Sequence, residues 1–405
     1  MTTFRSVSRR TWRAGGLGLV TLALLAAQAG AATGAALDWS KVSAQTPPGT
    51  PYSIFFATLA CPSKTMCWAT GSANTAKGVS PVLERLHKGK FHAVSTPVAH
   101  ATLEGVVCRS TRNCVLAGSV AGATTTKPIL EKWNGHKWSK VAAPNPKGND
   151  NELLDPACPS AHLCMVVGWY GDSTVNPITL HPLLERSTGK KWSIAKAPPV
   201  PSDAQSASLN ALNCVSKTSC IAIGSFIPKG GFDSHTYADR LHGKKWSLMT
   251  VPQPFQGTYA YAADSDVKCS SAKSCVMTGY AAPDAQGRTS YTPEAWSYNG
   301  TKWKLLTLPK SFVQAGGAFD DVACSSSSTC WLIGFEYSSS AGATGRAYAM
   351  RWNGHKLTAA AAIAQPSGGF SELDGDGCVH HGECYALGDN TQTSGKVSAF
   401  ADRAG

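Results

Sequence analysis

The side chains of this chain that could carry chemistry are carboxylates placed shortly before regularly spaced cysteines. Eight of the 25 acidic residues fall within five positions of the first cysteine of a pair. Carboxylates that are held close together repel and raise one another's pKa unless a cation or a hydrogen-bond donor compensates. Their spacing predicts a shared site formed, together with Asn210, by Glu104, Asp155, Asp264, Asp266, Asp320, Asp321, Asp374 and Asp376.

Three roles fit these residues. They could bind a cation or a hydroxyl-rich ligand, cleave a glycosidic bond as a carboxylate pair, or accept hydrogen bonds from backbone amides. Asp374-Gly375-Asp376-Gly377 is similar to part of a calcium loop but lacks its remaining ligands. No cofactor is predicted, and calcium is the metal that this segment would take. The candidate ligand-binding residues are Glu104, Asp155, Asn210, Asp266, Asp320, Asp321 and Asp374.

The usual catalytic motifs are missing from the sequence. It contains no Gly-x-Ser-x-Gly nucleophile turn, no His-Glu-x-x-His metal motif and no phosphate-binding loop. A glycoside hydrolase needs two carboxyl groups about 5–10 Å apart in an open cleft, a separation that the sequence does not give. The sequence therefore leaves open whether the protein is an enzyme and which residues would be catalytic.

The cysteines define a repeat. All fourteen form pairs of the type C-x5-C, and the first members follow one another at intervals of 47 to 56 residues. Zinc sites need four converging ligands, usually at shorter spacings, whereas residues opposed across one hairpin lie at bridging distance. The spacing favours seven local disulfides, namely Cys61–Cys67, Cys108–Cys114, Cys158–Cys164, Cys214–Cys220, Cys269–Cys275, Cys324–Cys330 and Cys378–Cys384.

Each repeat has the same order of strands and turns. A strand ends at the first cysteine, a polar turn leads to the second, and a β-rich run with a glycine follows. A third strand then ends in a tight turn such as Asn134-Gly135, and a fourth strand begins with a tryptophan such as Trp138. Four-stranded repeats of this length are typical of β-propellers.

The two ends of the chain complement one another. The last repeat stops after its third strand, whereas Leu37–Val42 matches the fourth-strand register of His136–Val141. Pairing of these ends would remove the exposed edges of an open array. We expect an all-β fold, a seven-bladed β-propeller with four-stranded blades whose ring is closed by the N-terminal strand completing the last blade. It would form a single domain over residues 32–405.

The first 31 residues are typical of an export signal peptide. Four arginines precede an apolar run at residues 17–27, and small residues follow it. The run is short for a membrane-spanning helix, and no other long apolar segment follows. Residues 8–12 also resemble a twin-arginine signal, so that route and general secretion both remain open. We expect a secreted, extracellular or cell-wall-associated protein without a membrane span after signal cleavage.

Charge narrows the choice of partner. The formal net charge of +12 falls to +8 when the four signal arginines are removed, so the mature protein is moderately basic. Nothing in the sequence resembles a nucleic-acid-binding module. We expect a monomer that binds no nucleic acid and whose partner is an extracellular glycan or a cell-envelope polymer.

The two faces of a propeller would differ in composition. The cysteine turns and the Asn-Gly turns share one face, whose basic residues are Lys64, Arg109, Arg112, Lys137, Lys190, Lys191, Lys217, Lys244, Lys245, Lys273 and Lys302. The long variable loops lie on the other face, where function usually concentrates on a rigid scaffold. Aromatic residues near those loops could stack on sugars or pack between blades: Trp169, Tyr170, Phe226, Phe232, Tyr237, Tyr280, Phe335 and Tyr337.

The repeat pattern Cys-x-Ser-x3-Cys-x3-Gly, followed by an Asn-Gly-x-Lys-Trp-Ser strand, resembles uncharacterised secreted actinobacterial propeller proteins. These are loosely grouped with galactose-oxidase or kelch-like propellers. The resemblance covers essentially the whole mature chain and implies the fold, but it implies no particular activity. Kelch double glycines, WD dipeptides and Asp boxes do not recur in this sequence. No copper site of an oxidase can therefore be transferred to its residues.

These observations lead to a ranked set of functions. We expect a secreted recognition module that binds glycan or another extracellular or cell-envelope ligand on the loop-bearing face. The alternative is a polysaccharide-acting glycoside hydrolase or lyase that uses the channel carboxylates. A third reading is a structural surface protein whose basic face adheres to anionic wall polymers.

Overall fold

The computed structural model describes residues 39–404 apart from 50, 123, 173, 175–178, 190, 232, 254–260, 283–290, 339–343, 360–362 and 380–381. The side chains of residues 261–264 and 282 are outside this description as well. The predicted signal peptide at residues 1–31 therefore lies outside the described residues, and so do Lys190 and Phe232.

The described residues form an all-β fold of antiparallel sheets. Their only helix, α1 (Lys310–Ala315), is six residues long. None of the helices in the described ranges has the length and apolar character needed to cross a membrane. The strand β1 (Trp39–Val42) comes first in the chain.

Hairpins divide the remaining described strands into seven consecutive units. Units 1 and 2 contain β2 (Ser53–Ser63), β3 (Met66–Thr75), β4 (Gly78–His87) and β5 (Lys90–Ala93), then β6 (Ala101–Ser110), β7 (Asn113–Ala121), β8 (Thr126–Trp133) and β9 (Trp138–Val141). Units 3 and 4 contain β10 (Asp150–Ser160), β11 (Leu163–Gly171), β12 (Leu180–Ser187) and β13 (Trp192–Ile194), then β14 (Ala204–Ala207), β15 (Ala211–Ser216), β16 (Ser219–Pro228), β17 (His235–His242) and β18 (Lys245–Met249).

Units 5 to 7 continue the same order. They contain β19 (Tyr261–Ser271), β20 (Ser274–Ala282), β21 (Thr292–Tyr298) and β22 (Trp303–Leu305), then β23 (Gly317–Ser326), β24 (Thr329–Tyr337), β25 (Gly345–Trp352) and β26 (Leu357–Ala359), and finally β27 (Phe370–Cys378), β28 (Cys384–Thr391) and β29 (Val397–Ala404). In unit 4 the first strand is interrupted, because β14 and β15 both pair with β16.

The first strand of each unit contacts the first strand of the next. Contacts run in this way from β2 through β6, β10, β15, β19 and β23 to β27, and β27 in turn contacts β2. Each first strand pairs with the second strand of its own unit, which lies on its outer side. The first strands therefore converge, and side chains from different units meet there.

The first described strand pairs with the third strand of unit 7. β1 pairs antiparallel with β29, so that Trp39 lies opposite Ala404 and Val42 lies opposite Ala401. This is the strand pairing that the sequence predicted between the two ends of the chain. Trp39 is buried and packs edge-on against Trp331 of unit 6, with ring centroids 5.0 Å apart.

All seven predicted disulfides are confirmed. Each joins the first strand of a unit to its second strand, and no cysteine is free. Five of the pairs stand directly opposite one another in the strand register. Seven disulfides indicate an oxidising environment, because thiols stay reduced in the cytosol.

The apolar core lies between neighbouring units rather than within one sheet. Trp68 of unit 1, for example, packs edge-on against Trp133 and Trp138 of unit 2, with ring centroids 4.9 and 5.1 Å away. Such aromatic pairs add about 0.5–1.5 kcal/mol beyond the burial of their area. One unit therefore cannot bury its apolar faces alone, and stability requires stacked neighbours.

The recurrent glycine of each second strand allows the first strand to bend. A β-bulge interrupts the pairing of β10 with β11 between Leu153 and Asp155. Gly168 lies opposite, and a Cβ atom there would stand 2.0 Å from the carbonyl oxygen of Glu152. Equivalent glycines in five other units face the same obstruction: Gly71, Gly118, Gly224, Gly334 and Gly388. The bulges turn the acidic residues of the first strands toward the neighbouring units.

A second recurrent feature is a buried carboxyl group on the third strand, which the sequence analysis missed. At one recurring position of this strand it is found in five units, as Glu84, Glu131, Glu185, Asp239 and Asp402, each at most 1% exposed, and unit 5 has a buried carboxyl, Glu294, at another position of the strand. A basic residue follows each of the five at the recurring position. Both side-chain oxygens of Glu185 and of Asp239 lack a hydrogen-bond partner among the described residues.

Burial changes the protonation of these groups. Desolvation raises the pKa of Glu84 and of Glu185 to about 8, and that of Asp239 and of Asp402 to about 7. The backbone of Gln45 partly offsets the rise at Glu84, and Lys41 does so at Asp402. The folded protein therefore retains protons that the unfolded chain would release at lower pH.

We predict that the protein is more stable at pH 5 than at pH 8. Each group stabilises the fold fully below its unfolded pKa, and loses about 1.4 kcal/mol per pH unit as the pH rises toward its folded pKa. Replacing Glu185 by Gln should raise the denaturation midpoint at pH 8 and leave it nearly unchanged at pH 5. Asp203→Asn, on an exposed turn, is the control. Equal effects of both variants at both pH values would contradict this account.

We also predict that deleting residues 31–42 destabilises the protein far more than deleting residues 31–36. Only the longer deletion removes β1, exposes the edge of β29 and removes Trp39 from its contact with Trp331. Loss of a buried tryptophan alone typically costs about 3–5 kcal/mol. Chemical denaturation of the two truncated proteins tests this, and matching midpoints would mean that β1 contributes little.

Candidate functional site

Aromatic side chains of units 5, 6 and 7 gather where first strands begin and second strands end. Tyr291 packs edge-on against Tyr280 at 4.9 Å and lies nearly parallel to Tyr337 at 6.5 Å between ring centroids. Phe335 joins Tyr337 at 5.2 Å and Phe370 at 5.1 Å. Phe335 is buried, whereas the other four rings are partly exposed. They form one continuous aromatic surface across three units.

Two carboxyl groups adjoin this surface. The charges of Asp320 and Glu372 raise the pKa values of Tyr291 and Tyr337, although burial of the two phenols is the larger cause. Asp320 is half-buried and lies close enough to the two phenols to act on their pKa values. We call this group the aromatic–acidic patch and define it as Tyr280, Tyr291, Phe335, Tyr337, Phe370, Asp320 and Glu372.

Behind the patch lies a buried group of three carboxyls, Glu372, Asp374 and Asp389. One oxygen from each lies within 4.8 Å of the others, and the residues are 8, 2 and 4% exposed. Burial raises the pKa of Glu372 well above its usual range, and the charges of Asp374, Asp389 and Asp320 raise it further. Glu372 therefore holds its proton to a higher pH than an ordinary carboxyl does, and it shares a hydrogen bond with Asp389.

The donor set of this group is one that calcium accepts, because carboxylate oxygens are its preferred ligands. Some of its lone pairs already have partners within the chain. Asp374 accepts a hydrogen bond from the backbone N–H of Phe56 at 3.2 Å, and Asp389 accepts one from the hydroxyl of Thr391 at 3.1 Å. Calcium at this position stays a prediction.

The other predicted carboxylates connect the first strands. Asp155 accepts a hydrogen bond from the backbone N–H of Leu212 at 2.8 Å. Asp376 accepts one from Ala323 at 3.1 Å. Asp321 accepts one from the N–H of Asp376 at 2.9 Å. In each case the donor belongs to a neighbouring or nearby unit, so these side chains satisfy backbone donors on the inner edges of the strands.

One lysine neutralises the centre of this arrangement. Lys268 forms an ion pair with Asp266 at 2.5 Å, and its side chain is 24% exposed. Burial by itself lowers the pKa of Lys268, but Asp266, Asp155 and Asp321 outweigh it and raise the pKa. These carboxylates come from the first strands of units 3, 5 and 6. Lys268 therefore lies where the first strands converge.

The predicted candidates thus separate into two places. Asp320 and Asp374 lie at or directly behind the aromatic–acidic patch, whereas Asp155, Asp266 and Asp321 surround Lys268. Asn210 bonds within unit 4, accepting from Ser208 at 3.0 Å and donating to Ser225 at 3.2 Å. Glu104 is half-buried in unit 2, beside unit 3. The side chain of Asp264 lies outside the described residues.

The predicted aromatic residues also separate. Trp169 and Tyr237 are buried, and the hydroxyl of Tyr237 donates to the carbonyl of Ser208 at 3.0 Å. Tyr170 and Phe226 are partly exposed but stack on neighbouring histidines in units 3 and 4. Of the predicted aromatic residues that the structure describes, Tyr280, Phe335 and Tyr337 belong to the patch.

Sequence reasoning missed four members of the two groups. Glu372 lies six positions before its cysteine, one beyond the window in which acidic residues recur, and Asp389 follows the second cysteine of its pair. Tyr291 and Phe370 belong to a loop end and a strand start that carry no motif. Their shared signal is position, since all four lie at the same end of their strands.

We predict that Lys268→Met destabilises the fold strongly. It leaves the carboxylates around Lys268 without their counter-charge, and removing one partner of a buried pair costs about 3–5 kcal/mol. Lys273→Met, at an exposed position in the next turn, should change the denaturation midpoint little. If the two variants unfold at the same denaturant concentration, Lys268 has no central electrostatic role.

Comparison with known proteins agrees with the architecture and gives no family. No protein-family profile and no curated protein matches the chain. A solved structure of YCF48 bound to D1 peptide is similar, with 12% identity and a TM-score of 0.52 over 90% of this chain and 94% of that one. A polysaccharide lyase of the PL25 ulvan lyase family has 8% identity and a TM-score of 0.54, over 89% and 95%.

A protein of unknown function from Dyadobacter fermentans is similar as well, with 11% identity and a TM-score of 0.51 over 75% of this chain and 94% of that one. Identities this low carry information about the fold and none about activity. The chain has an all-β, propeller-like fold.

Proposed function

We propose that the protein is a secreted or cell-wall-associated recognition module that binds glycan at the aromatic–acidic patch. It acts as a monomeric seven-bladed β-propeller, and the N-terminal strand closes the ring by completing the last blade. The contacts that run from β2 through the first strands back to β2 support this architecture, and so does the pairing of β1 with β29.

The observation that carries the functional proposal is the aromatic surface of the patch. Four partly exposed rings from three units lie next to one another, in T-shaped and nearly parallel pairs. The C–H faces of sugar rings pack well on such surfaces, and tyrosine adds a hydroxyl that bonds to sugar hydroxyls. The span over three units suits a ligand of several sugar residues.

The charge of the patch narrows the ligand. The charge of Asp320 lowers the electrostatic potential over Tyr291 and Tyr337, and it adds to the rise in pKa that burial of the two phenols causes. A uronate or sulfate group would be repelled at this position, whereas hydroxyl groups and protonated amines would be attracted. We therefore propose a neutral or amine-bearing glycan.

The alternative is a glycoside hydrolase or lyase. In its favour, the pKa of Glu372 is well above that of an ordinary carboxyl, and acid–base pairs are found where neighbouring pKa values are pushed apart. Against it, the oxygens of Glu372, Asp374 and Asp389 lie within 4.8 Å. Retaining enzymes hold their carboxyls about 5–5.5 Å apart and inverting enzymes about 6.5–9.5 Å apart. All three groups are also almost fully buried.

We predict that Tyr337→Ala and Asp320→Asn each weaken glycan binding, Tyr337→Ala by about tenfold, since an aromatic contact contributes about 1 kcal/mol or more. A glycan array should identify a neutral or amine-bearing ligand, and calorimetry with that oligosaccharide should measure the loss. Tyr170→Ala is the matched control, because Tyr170 is a partly exposed ring at the same end of unit 3.

Three results would contradict the proposal. If no glycan on the array binds, the proposal is wrong. If Tyr170→Ala loses as much glycan affinity as Tyr337→Ala, the binding site is not the aromatic–acidic patch. Release of reducing ends or of unsaturated products from a bound polysaccharide would favour the enzymatic alternative. Thermal unfolding of the three variants provides the check that each one folds.

A further inference from the structure

The end of the molecule opposite the aromatic–acidic patch is formed by tight turns of the successive units. It consists of the turns between first and second strands and between third and fourth strands, and we call it the turn face. The indole N–H of Trp133 donates to the carbonyl of Thr111 at 3.0 Å, which joins the two kinds of turn in unit 2. Arg109 reaches the carbonyl of Cys158 and Arg240 reaches that of Gly300, both at 3.4 Å. These contacts join neighbouring units.

The turn face is strongly basic. Its described turns carry one carboxylate, that of Glu383, which already pairs with Arg403 at 3.6 Å. The lysines and arginines of the same turns are predominantly exposed: Lys64, Lys88, Lys90, Arg109, Arg112, Lys137, Lys191, Lys217, Lys244, Lys245, Lys273, Lys302 and Lys356. They recur in the turns of six of the seven units, so positive charge surrounds most of the face.

Charge is therefore separated along the molecule. The carboxyls of the first strands and of the patch lie toward the other end, whereas the described turns of the turn face hold many cationic side chains and one carboxylate, that of Glu383. Like charges placed together disfavour the isolated protein and favour a partner of opposite charge. A face of this size and sign attracts an anion with many charges more than a single small one.

We propose that the turn face binds a linear polyanion, a flexible chain with closely spaced phosphate or sulfate groups, such as an envelope polymer. Lysines outnumber arginines on the face, and a lysine is a point charge that does not impose bidentate geometry. Such a surface responds to the charge density of the polymer and not to the order of its monomers. Binding there is independent of glycan binding at the patch and would leave the patch facing away from the polymer.

A polymer fits this face better than an anionic membrane. Peripheral membrane binding needs large apolar side chains that enter the lipid as well as basic residues. Among the exposed large hydrophobic residues that the structure describes, only Val215 stands in these turns. A bilayer would therefore meet charge without an apolar anchor.

The test uses the mature protein and poly(glycerol phosphate), with heparin as the sulfated probe and polyglutamate as the carboxylated one. Affinity should fall at least tenfold between 50 and 200 mM salt, about what release of several counterions gives. Lys244→Glu with Lys245→Glu should weaken binding of poly(glycerol phosphate) at least tenfold. The control is Lys127→Glu with Lys147→Glu, which makes the same change in net charge at exposed positions toward the opposite end and should change affinity less than threefold.

Four results would overturn the proposal. They are no binding of any of the three polymers, binding that salt does not weaken, equal losses in the two double variants, and tighter binding to vesicles of phosphatidylglycerol than to the polymers. Preference for poly(glycerol phosphate) or for heparin would identify the anion. Circular dichroism of both double variants confirms that a loss of affinity is not a loss of fold.

Discussion

The inner edges of the first strands impose the constraint on which the arrangement depends. Apart from one bridge each between β10 and β8 and between β27 and β25, the described first strands pair only with the second strand of their own unit, so their inward backbone N–H groups need other acceptors. An unsatisfied buried donor costs about 1–3 kcal/mol. Asp155, Asp374 and Asp376 each accept one such bond from another unit. The acidic residues are therefore concentrated at the centre for a structural reason, and Lys268 balances part of their charge.

This requirement for backbone acceptors also distinguishes carboxylates with a structural role from carboxylates beside the proposed binding surface. The carboxylates that bond to backbone amides and to Lys268 hold the strands together. Asp320 adjoins Tyr291 and Tyr337 at the surface. A rigid set of strands that delivers rings and carboxyls to one end is the arrangement in which loops and strand ends take on binding roles.

The features that recur in every repeat could be predicted from the sequence. The features that depend on contacts between residues of different repeats could not. The C-x5-C pairs, the glycine of each second strand and the strand at residues 39–42 each follow from local chemistry. Lys268 could not be foreseen, because its partners Asp155 and Asp321 come from units separated from it in sequence. The buried Glu185 was missed for another reason: an acid beside a basic residue on a strand normally indicates a solvated face.

The candidate site was predicted in part. Asp320, Phe335 and Tyr337 were named from the residues before the cysteines and from the variable loops, and they do belong to one surface. Asp155, Asp266 and Asp321 each stand three positions before their cysteine, one position later than Asp320, and they lie at the centre around Lys268. The spacing from the cysteine gives a residue's position along its strand. The bend of the strand determines which neighbouring residues its side chain contacts.

The placement of the cross-links has a mechanical consequence. Every disulfide lies within one unit, so no covalent bond other than the chain itself spans two units. The first and last described strands pair with Trp39 opposite Ala404, which puts residues 39 and 404 at the same end of the pair. Tension applied through both would break the hydrogen bonds one after another, as a zipper opens, rather than load them together in shear. Force applied to residue 39 alone or to residue 404 alone would not pull these two strands apart. Force applied to both residues would act directly on the hydrogen bonds between β1 and β29.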